Sequence, residues 1–437
     1  MSNQIYGLVD INNFYCSAET LFNPKLNGKA VVVLANNDSC VVSRSQEAKD
    51  LGIKMGTPFF ELKDYIKNHG LIFLSSNYPV YGELSNRFRQ TIASMISQEH
   101  IKPYSIDEVF LNLDAYSAQF EITQLATDLK RRIKKWIGLP VCIGIGHSPT
   151  LAKLANHIAK KNSYLKGVCN LCEMDLLSQE ILFSDIDVSE VWGVGRQFTK
   201  RLNAMGIETV LDLALADPNQ IESIFGVVLK RTVLELRQEA CIDLDELDFS
   251  DRKQIVSSRS FGKRITDIDV LVEATCNYLQ VGLMRMQNLG LICSSVMVFI
   301  ESSRFDKKRP YFSAHQVSAL KQPTDDIRVL NSVVAQMVRE IFKDGVEYSR
   351  CGVTFTDLEL KSNYVPDLFT DLAEIEESNN LMNAVASVQT KFGKAKLGMG
   401  SVNLKDRVWT MKQAHKSPNY FNWSELLTIN DGDCEKK

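Results

Sequence analysis

The run HIKPYSIDEVFLNL, residues 100–113, decides how this chain is read. HIKPYS and EVFLNL both look like strands, so the segment predicts a hairpin around Ile106-Asp107. Two adjacent carboxylates, Asp107 and Glu108, fall at its tip, where they repel one another when ionised unless a cation is near. On a regular strand they would point to opposite faces, so both reach one site only where the backbone leaves that geometry. Ile5 to Ile11 forms an independent alternating strand that delivers Asp10 at its C-terminal end. Three carboxylates from two strand ends suit two Mg2+ ions about 3.5–4 Å apart, a pair that clamps the attacking and leaving oxygens of phosphoryl transfer. An Asp-Glu pair alone is by default an exposed turn. The neighbouring residues have to decide.

Working outward, AVVVL (30–34) and CVVSRS (40–45) predict a hairpin around Asn36-Asn37-Asp38. EAKDLGIKMG predicts a short helix stopping near Gly52 and Gly56, and LIFLSS (71–76) another strand. Amphipathic helices are expected over Tyr81–Ser97, Leu125–Trp136 and Pro149–Lys161, with VCIGIG (141–146) a buried strand and GVCNLC closing the unit. That order predicts an antiparallel sheet backed by helices, with 15–75 inserted beside the first strand. Residues 185–240 read as helical and Asp243–Asp251 as an acidic linker. A second α/β unit follows over 254–358, with strands IVSSRSFG, SSVMVFIE and RCGVTFTDLEL and helices at 269–287 and 325–343. Beyond 360 the sequence is polar, and its periodicity is weak.

A chain of 437 residues needs several domains, and 45% hydrophobic with 24% charged residues is the balance of a globular protein. No run of 18 apolar residues appears and the N-terminus lacks a signal-peptide pattern, so a cytoplasmic protein without a membrane partner is expected. Ten cysteines without a framework suit a reducing compartment. Cys169 and Cys172 lack a second pair and His157 is isolated, so that segment reads as a strand and not a zinc site. Net charge is −3, but basic residues gather at 130–135, at Arg252 to Arg264 and at Arg304 to Arg309.

DINNFYCSAE (10–19), SIDEVF (105–110) and TLAKLANHIAKK (150–161) resemble the Y-family DNA polymerases, and most closely the UmuC family, the catalytic subunits of DNA polymerase V-type enzymes. EAKDLGIKMG, SSNYPVY, DVSEVWGVGR, SSRSFGKRITD and WTMKQAHKSPNY extend the resemblance from Tyr6 to about Tyr420. It implies an α+β multidomain, right-handed polymerase: a ferredoxin-like palm (1–14 and 77–172), small fingers (15–76), a helical thumb (173–242), an α/β little finger (252–358) and a tail for partner docking (359–437). It further implies an error-prone translesion polymerase of the SOS response, acting on primer–template DNA and dNTPs with two Mg2+ ions. Asp10, Asp107 and Glu108 match the metal carboxylates, with the backbone carbonyl of Ile11 beside them. Tyr15 matches the ring under the sugar, where it leaves no room for a 2′-hydroxyl. Taken alone, Tyr15 would read as a core aromatic.

Lys49 and Lys160 match triphosphate-binding positions, and Ser105 is expected to support the acidic pair by hydrogen bonding. Gly193 and Gly195 resemble a helix-hairpin-helix turn whose N–H groups approach DNA phosphates. Arg259, Lys263 and Arg264 match a template-gripping segment with salt-sensitive contacts. The partners implied are a processed UmuD-type dimer, RecA and the sliding clamp. The clamp motif is altered: Asp367, Leu368 and Phe369 match, but Val365 stands where Gln is expected. Gln46 replaces a triphosphate-contacting tyrosine, and Pro149 a lysine. The rival readings are a catalytically inactive polymerase-like protein that binds DNA or partners, and a nucleotide cyclase. The combination of Asp10, Asp107, Glu108 and Tyr15 argues against the first, and the glycine turn with the basic segment against the second.

Overall fold

The computed structural model describes residues 4–244, 253–306, 308–366, 372–392, 407 and 409–425. They belong to two units, residues 1–249 with 414–437, and residues 250–413. Most of the expected acidic linker lies outside the described residues.

The first unit holds β1 (Tyr6–Ile11), β2 (Val31–Leu34), β3 (Val41–Arg44), β4 (Ile72–Ser75), β5 (Ile101–Pro103), β6 (Glu108–Asn112), β7 (Val141–Gly146) and β8 (Val168–Asn170). Five of these form a sheet in the order β5-β6-β1-β7-β8. The expected hairpin is present, with β5 and β6 antiparallel and Asp107 in the turn. One expectation is corrected: β8 runs parallel to β7, so the sheet is mixed. The helix Pro149–Lys161 joins those two strands, and a crossover through a helix returns the chain in the same direction.

The sequence of β7 explains how closely that helix sits. A Cβ on Gly144 would come within 2.1 Å of the Asn156 backbone nitrogen, and one on Gly146 within 2.6 Å of Leu151. Alternate glycines therefore clear one face of the strand for the helix backbone. Asn156 then fastens it, donating to the carbonyls of Cys142 at 2.8 Å and Leu8 at 3.3 Å. The opposite sheet face is covered by the helices Tyr78–Ala93 and Ile122–Ile137, through Val9, Leu111, Ile143, Phe88 and Ile133. Burying each such side chain is worth about 1.5–3 kcal/mol, which fixes the sheet from both sides.

The second sheet of this unit has the order β3-β2-β4, with β2 and β3 the expected hairpin and β4 parallel to β2. Five helices between Leu176 and Leu236 form the helical part, packed around Val188, Leu202, Leu213 and Val233. In the second unit β9 (Gln254–Ile265), β10 (Leu291–Ser302), β11 (Ser313–Thr324) and β12 (Tyr348–Leu360) make an antiparallel sheet ordered β11-β10-β12-β9. The helices Ile268–Asn288 and Ile327–Ile341 share its core. β11 has no counterpart in the sequence reading: it is an edge strand whose side chains alternate between exposed and half-buried, so it carries no apolar signal. The weak periodicity beyond 360 also hid a helix, Leu372–Phe392.

Candidate active site

Asp10 stands directly opposite Glu108 in the β1–β6 ladder, as Leu8 stands opposite Phe110. Residues two apart on a strand share a face, so Asp10 and Glu108 emerge beside Leu8 and Phe110, on the face covered by the helix Pro149–Lys161. Like charges directly opposite one another destabilise a ladder unless something neutralises them. Here two lysines do so. Lys160 Nζ lies 2.7 Å from Asp10 Oδ1, and Lys153 Nζ 2.8 Å from Glu108 Oε1.

Asp107 is held by the hairpin. The Ser105 hydroxyl donates to Asp107 Oδ1 at 2.6 Å and accepts from the backbone N–H groups of Asp107 and Glu108 at 3.2 and 3.0 Å. The Ile11 N–H donates to the Asp107 carbonyl at 3.0 Å, so the end of β1 is tied to the turn. Burial pushes the Asp10 carboxyl up to about 6; Lys160 opposes this, while Glu108 and Asp107 add to it. Three carboxylates and the Ile11 carbonyl are the hard oxygen donors that Mg2+ takes, and a cation between them would relieve that repulsion. These residues fit such an ion. Among the described residues no three His, Cys, Asp or Glu side chains are gathered to hold a metal as they stand; Asp10 and Glu108 are turned to Lys160 and Lys153, which an ion would have to displace. His157 pairs with Glu190 at 3.3 Å, and burial pushes the Cys169 thiol up to about 12.

Tyr15 lies on the helix after β1, α1 (Phe14–Phe22), and stacks on Tyr81 with centroids 4.4 Å apart. Burial, then Tyr78 and Asp107, push its hydroxyl up to about 12, which puts the ring within electrostatic reach of the hairpin carboxylate. Lys49 closes the short helix Gln46–Asp50. Burial holds its ammonium below the ordinary value, and repulsion from Arg44, Lys160 and Lys161 adds to that. Lys49 thus feels three other cations, one of which, Lys160, is the partner of Asp10. The Gln46 amide donates to Asp50, its neighbour one turn on, at 2.8 Å.

Sequence reasoning missed Lys153 and Arg44. Lys153 precedes Lys160 by two helical turns, a spacing that puts both on one face and could have found it. Its ammonium also lies over the rings of Tyr104 at 4.4 Å and Trp192 at 5.6 Å. Trp192 donates to the Tyr104 hydroxyl at 3.1 Å and immediately precedes Gly193. Gly193 has φ of 88°, a left-handed conformation that favours glycine. Gly195 caps the helix Arg196–Asn203, and a Cβ on either glycine would meet nothing within 4 Å.

In the second unit Arg259 donates to the Ser258 carbonyl at 2.8 Å and Lys263 is exposed. Arg264 is drawn onto Asp306 at 2.5 Å and Glu347 at 2.8 Å, so much of its charge is answered within the unit. Asp367, Leu368 and Phe369 lie outside the described residues.

The model of the impB/mucB/samB family matches residues 9–157, and that of its C-terminal domain residues 252–368. A domain of unknown function matches 379–429. Protein UmuC of Salmonella typhimurium is 37% identical over 97% of this chain and 100% of its own length. Protein MucB of Escherichia coli is 35% identical over 95% and 97%. Among solved structures, a Dbh–Dpo4–Dbh chimera of Y-family DNA polymerases matches with a TM-score of 0.63 at 23% identity, covering 82% of this chain and 99% of its own. An insertion ternary complex of Dbh DNA polymerase matches with a TM-score of 0.51 at 21% identity, covering 80% and 98%.

Proposed function

This chain belongs to the impB/mucB/samB family, the UmuC type of Y-family DNA polymerase, and from that premise we propose how its residues share the work. It is a translesion DNA polymerase of SOS mutagenesis with the α+β, multidomain palm, fingers, thumb and little-finger architecture. Residues 1–14 with 77–172 are the palm, 15–76 the fingers, 173–242 the thumb, 252–358 the little finger and 359–437 a partner-docking tail.

Asp10, Asp107, Glu108 and the Ile11 carbonyl hold two Mg2+ ions. Bound there, such ions would supply activation of the primer 3′-hydroxyl and neutralisation of the leaving pyrophosphate. Asp107 and Glu108 orient the site on the primer side. Tyr15 packs under the deoxyribose and excludes a 2′-hydroxyl. Lys49 and Lys160, with Arg44 close by, bind the triphosphate as point charges. A cation held by Asp10 would take over the neutralisation that Lys160 supplies and would free Lys160 for the triphosphate. Gly193 and Gly195 present N–H groups to a DNA phosphate; Arg259, Lys263 and Arg264 add backbone contacts. A processed UmuD-type dimer, RecA and, through Asp367, Leu368 and Phe369, the sliding clamp are the partners, in the cytoplasm. Among the described residues no helix is long and apolar enough to cross a membrane.

The observation that carries this reading is the register: Asp10 opposite Glu108, with Asp107 tied to Ile11 at the hairpin turn. Primer extension with Mg2+ and single dNTPs, with and without the accessory dimer, tests it. The parent extends the primer and Asp107→Ala does not. Equal extension by both would overturn the assignment of the site.

A further inference from the structure

The C-terminal segment lays residues 414–421 against the elements that carry Tyr15. Ser75, at the edge of the three-stranded sheet, donates from its backbone to the His415 carbonyl at 3.1 Å, and His415 N–H returns to the Ser75 hydroxyl at 3.0 Å. Asp38 joins the two, accepting from the Ser75 hydroxyl at 2.6 Å and from the Ala414 N–H at 3.2 Å. Asn77, at the start of the helix Tyr78–Ala93, donates to the Ser417 carbonyl and hydroxyl, both at 2.9 Å, and to the Pro418 carbonyl at 3.1 Å.

From there a relay runs inward. The Ser417 hydroxyl donates to Glu19 Oε1 at 3.1 Å, and the Tyr81 hydroxyl donates to the same oxygen at 2.7 Å. Tyr81 is fully buried and stacks on Tyr15, with 13° between the rings. Tyr15, Glu19 and Phe22 stand at i, i+4 and i+7 of α1, one stripe of the helix. Phe22 is covered by Tyr420, stacked at 4.4 Å, and by Phe421, edge-on at 5.5 Å. All three members of the stripe therefore meet the C-terminal segment, directly or through Tyr81.

We propose that Ser417, acting through Glu19 and Tyr81, is a positioning residue for Tyr15, so that the C-terminal segment sets how strictly this polymerase excludes ribonucleotides. The inference rests on Tyr15 being the ring under the sugar. A gate that works by exclusion depends on where its ring is held, and Tyr81 is the surface that holds it.

The test is single-nucleotide insertion of a dNTP and its matching rNTP by the full-length protein with Mg2+, read as the ratio of the two kcat/KM values. Ser417→Ala is expected to lower that ratio about threefold to tenfold, the scale of one ordinary hydrogen bond lost. The loss should come from faster rNTP insertion at unchanged KM for the dNTP. Ser417→Thr keeps the hydroxyl and should keep the ratio. Tyr15→Ala should lower it further, with no added effect of Ser417→Ala in that background. A parental ratio in Ser417→Ala, or equal slowing of both nucleotides, overturns the relay while the gate stands. A parental ratio in Tyr15→Ala overturns the gate itself.

Discussion

Asp10, half-buried, and Glu19, buried, are carboxyls on consecutive elements, and desolvation raises both above their ordinary range. Their company separates them. Asp10 faces another carboxylate across the ladder, has Asp107 nearby and is answered by the mobile charge of a lysine. Glu19 is answered by the hydroxyls of Tyr81 and Ser417, neutral donors that satisfy it in place. A desolvated carboxyl crowded by its own charge is poised for a cation, whereas one satisfied by hydroxyls is a fastening. Desolvation alone does not tell them apart.

The largest expected effect tests that contrast in activity. Asp10→Asn should slow single-turnover insertion by about a thousandfold or more, while Glu19→Gln should slow it by less than about tenfold. Comparable losses would erase the distinction. The order should invert for stability. Glu19→Ala leaves the Tyr81 hydroxyl without its acceptor and opens a cavity, so urea denaturation should show a loss of about 2–4 kcal/mol. Asp10→Asn removes one of three repelling charges and should cost less than about 1 kcal/mol.

The same contrast has a pH dependence. A carboxyl whose folded pKa lies above its unfolded value takes up a proton on folding between the two. With EDTA present, the Asp10 contribution is therefore in place on the acid side and is lost as pH climbs from 3.8 to about 6. That loss should be on the order of 3 kcal/mol, disappear in Asp10→Asn and shrink with saturating Mg2+. The part of the slope that Glu19→Gln removes should not respond to Mg2+.

The two sites also differed in how far the sequence exposed them. Strand alternation and the hairpin, both local patterns, placed Asp10, Asp107 and Glu108 at strand ends, and the Ser105 contacts span only a few residues, but it was the family resemblance that singled the three out as a metal set. The succession of strands and helices along this unit was legible, but not the direction of β8, which depends on the crossover helix. Glu19 was invisible as a fastening, because its partner Ser417 lies 398 positions away and no local period reports such a pairing. The edge strand β11 and the helix Leu372–Phe392 escaped for a different reason. Their exposure leaves little apolar patterning to read.

The most direct measurement counts Mg2+ bound to the polymerase on a chain-terminated primer–template with the next correct dNTP. Two ions per polymerase are expected for the parent, and at least one fewer for Asp107→Ala at the same dNTP occupancy. An unchanged count in that variant would contradict the assignment of these carboxylates as the metal site.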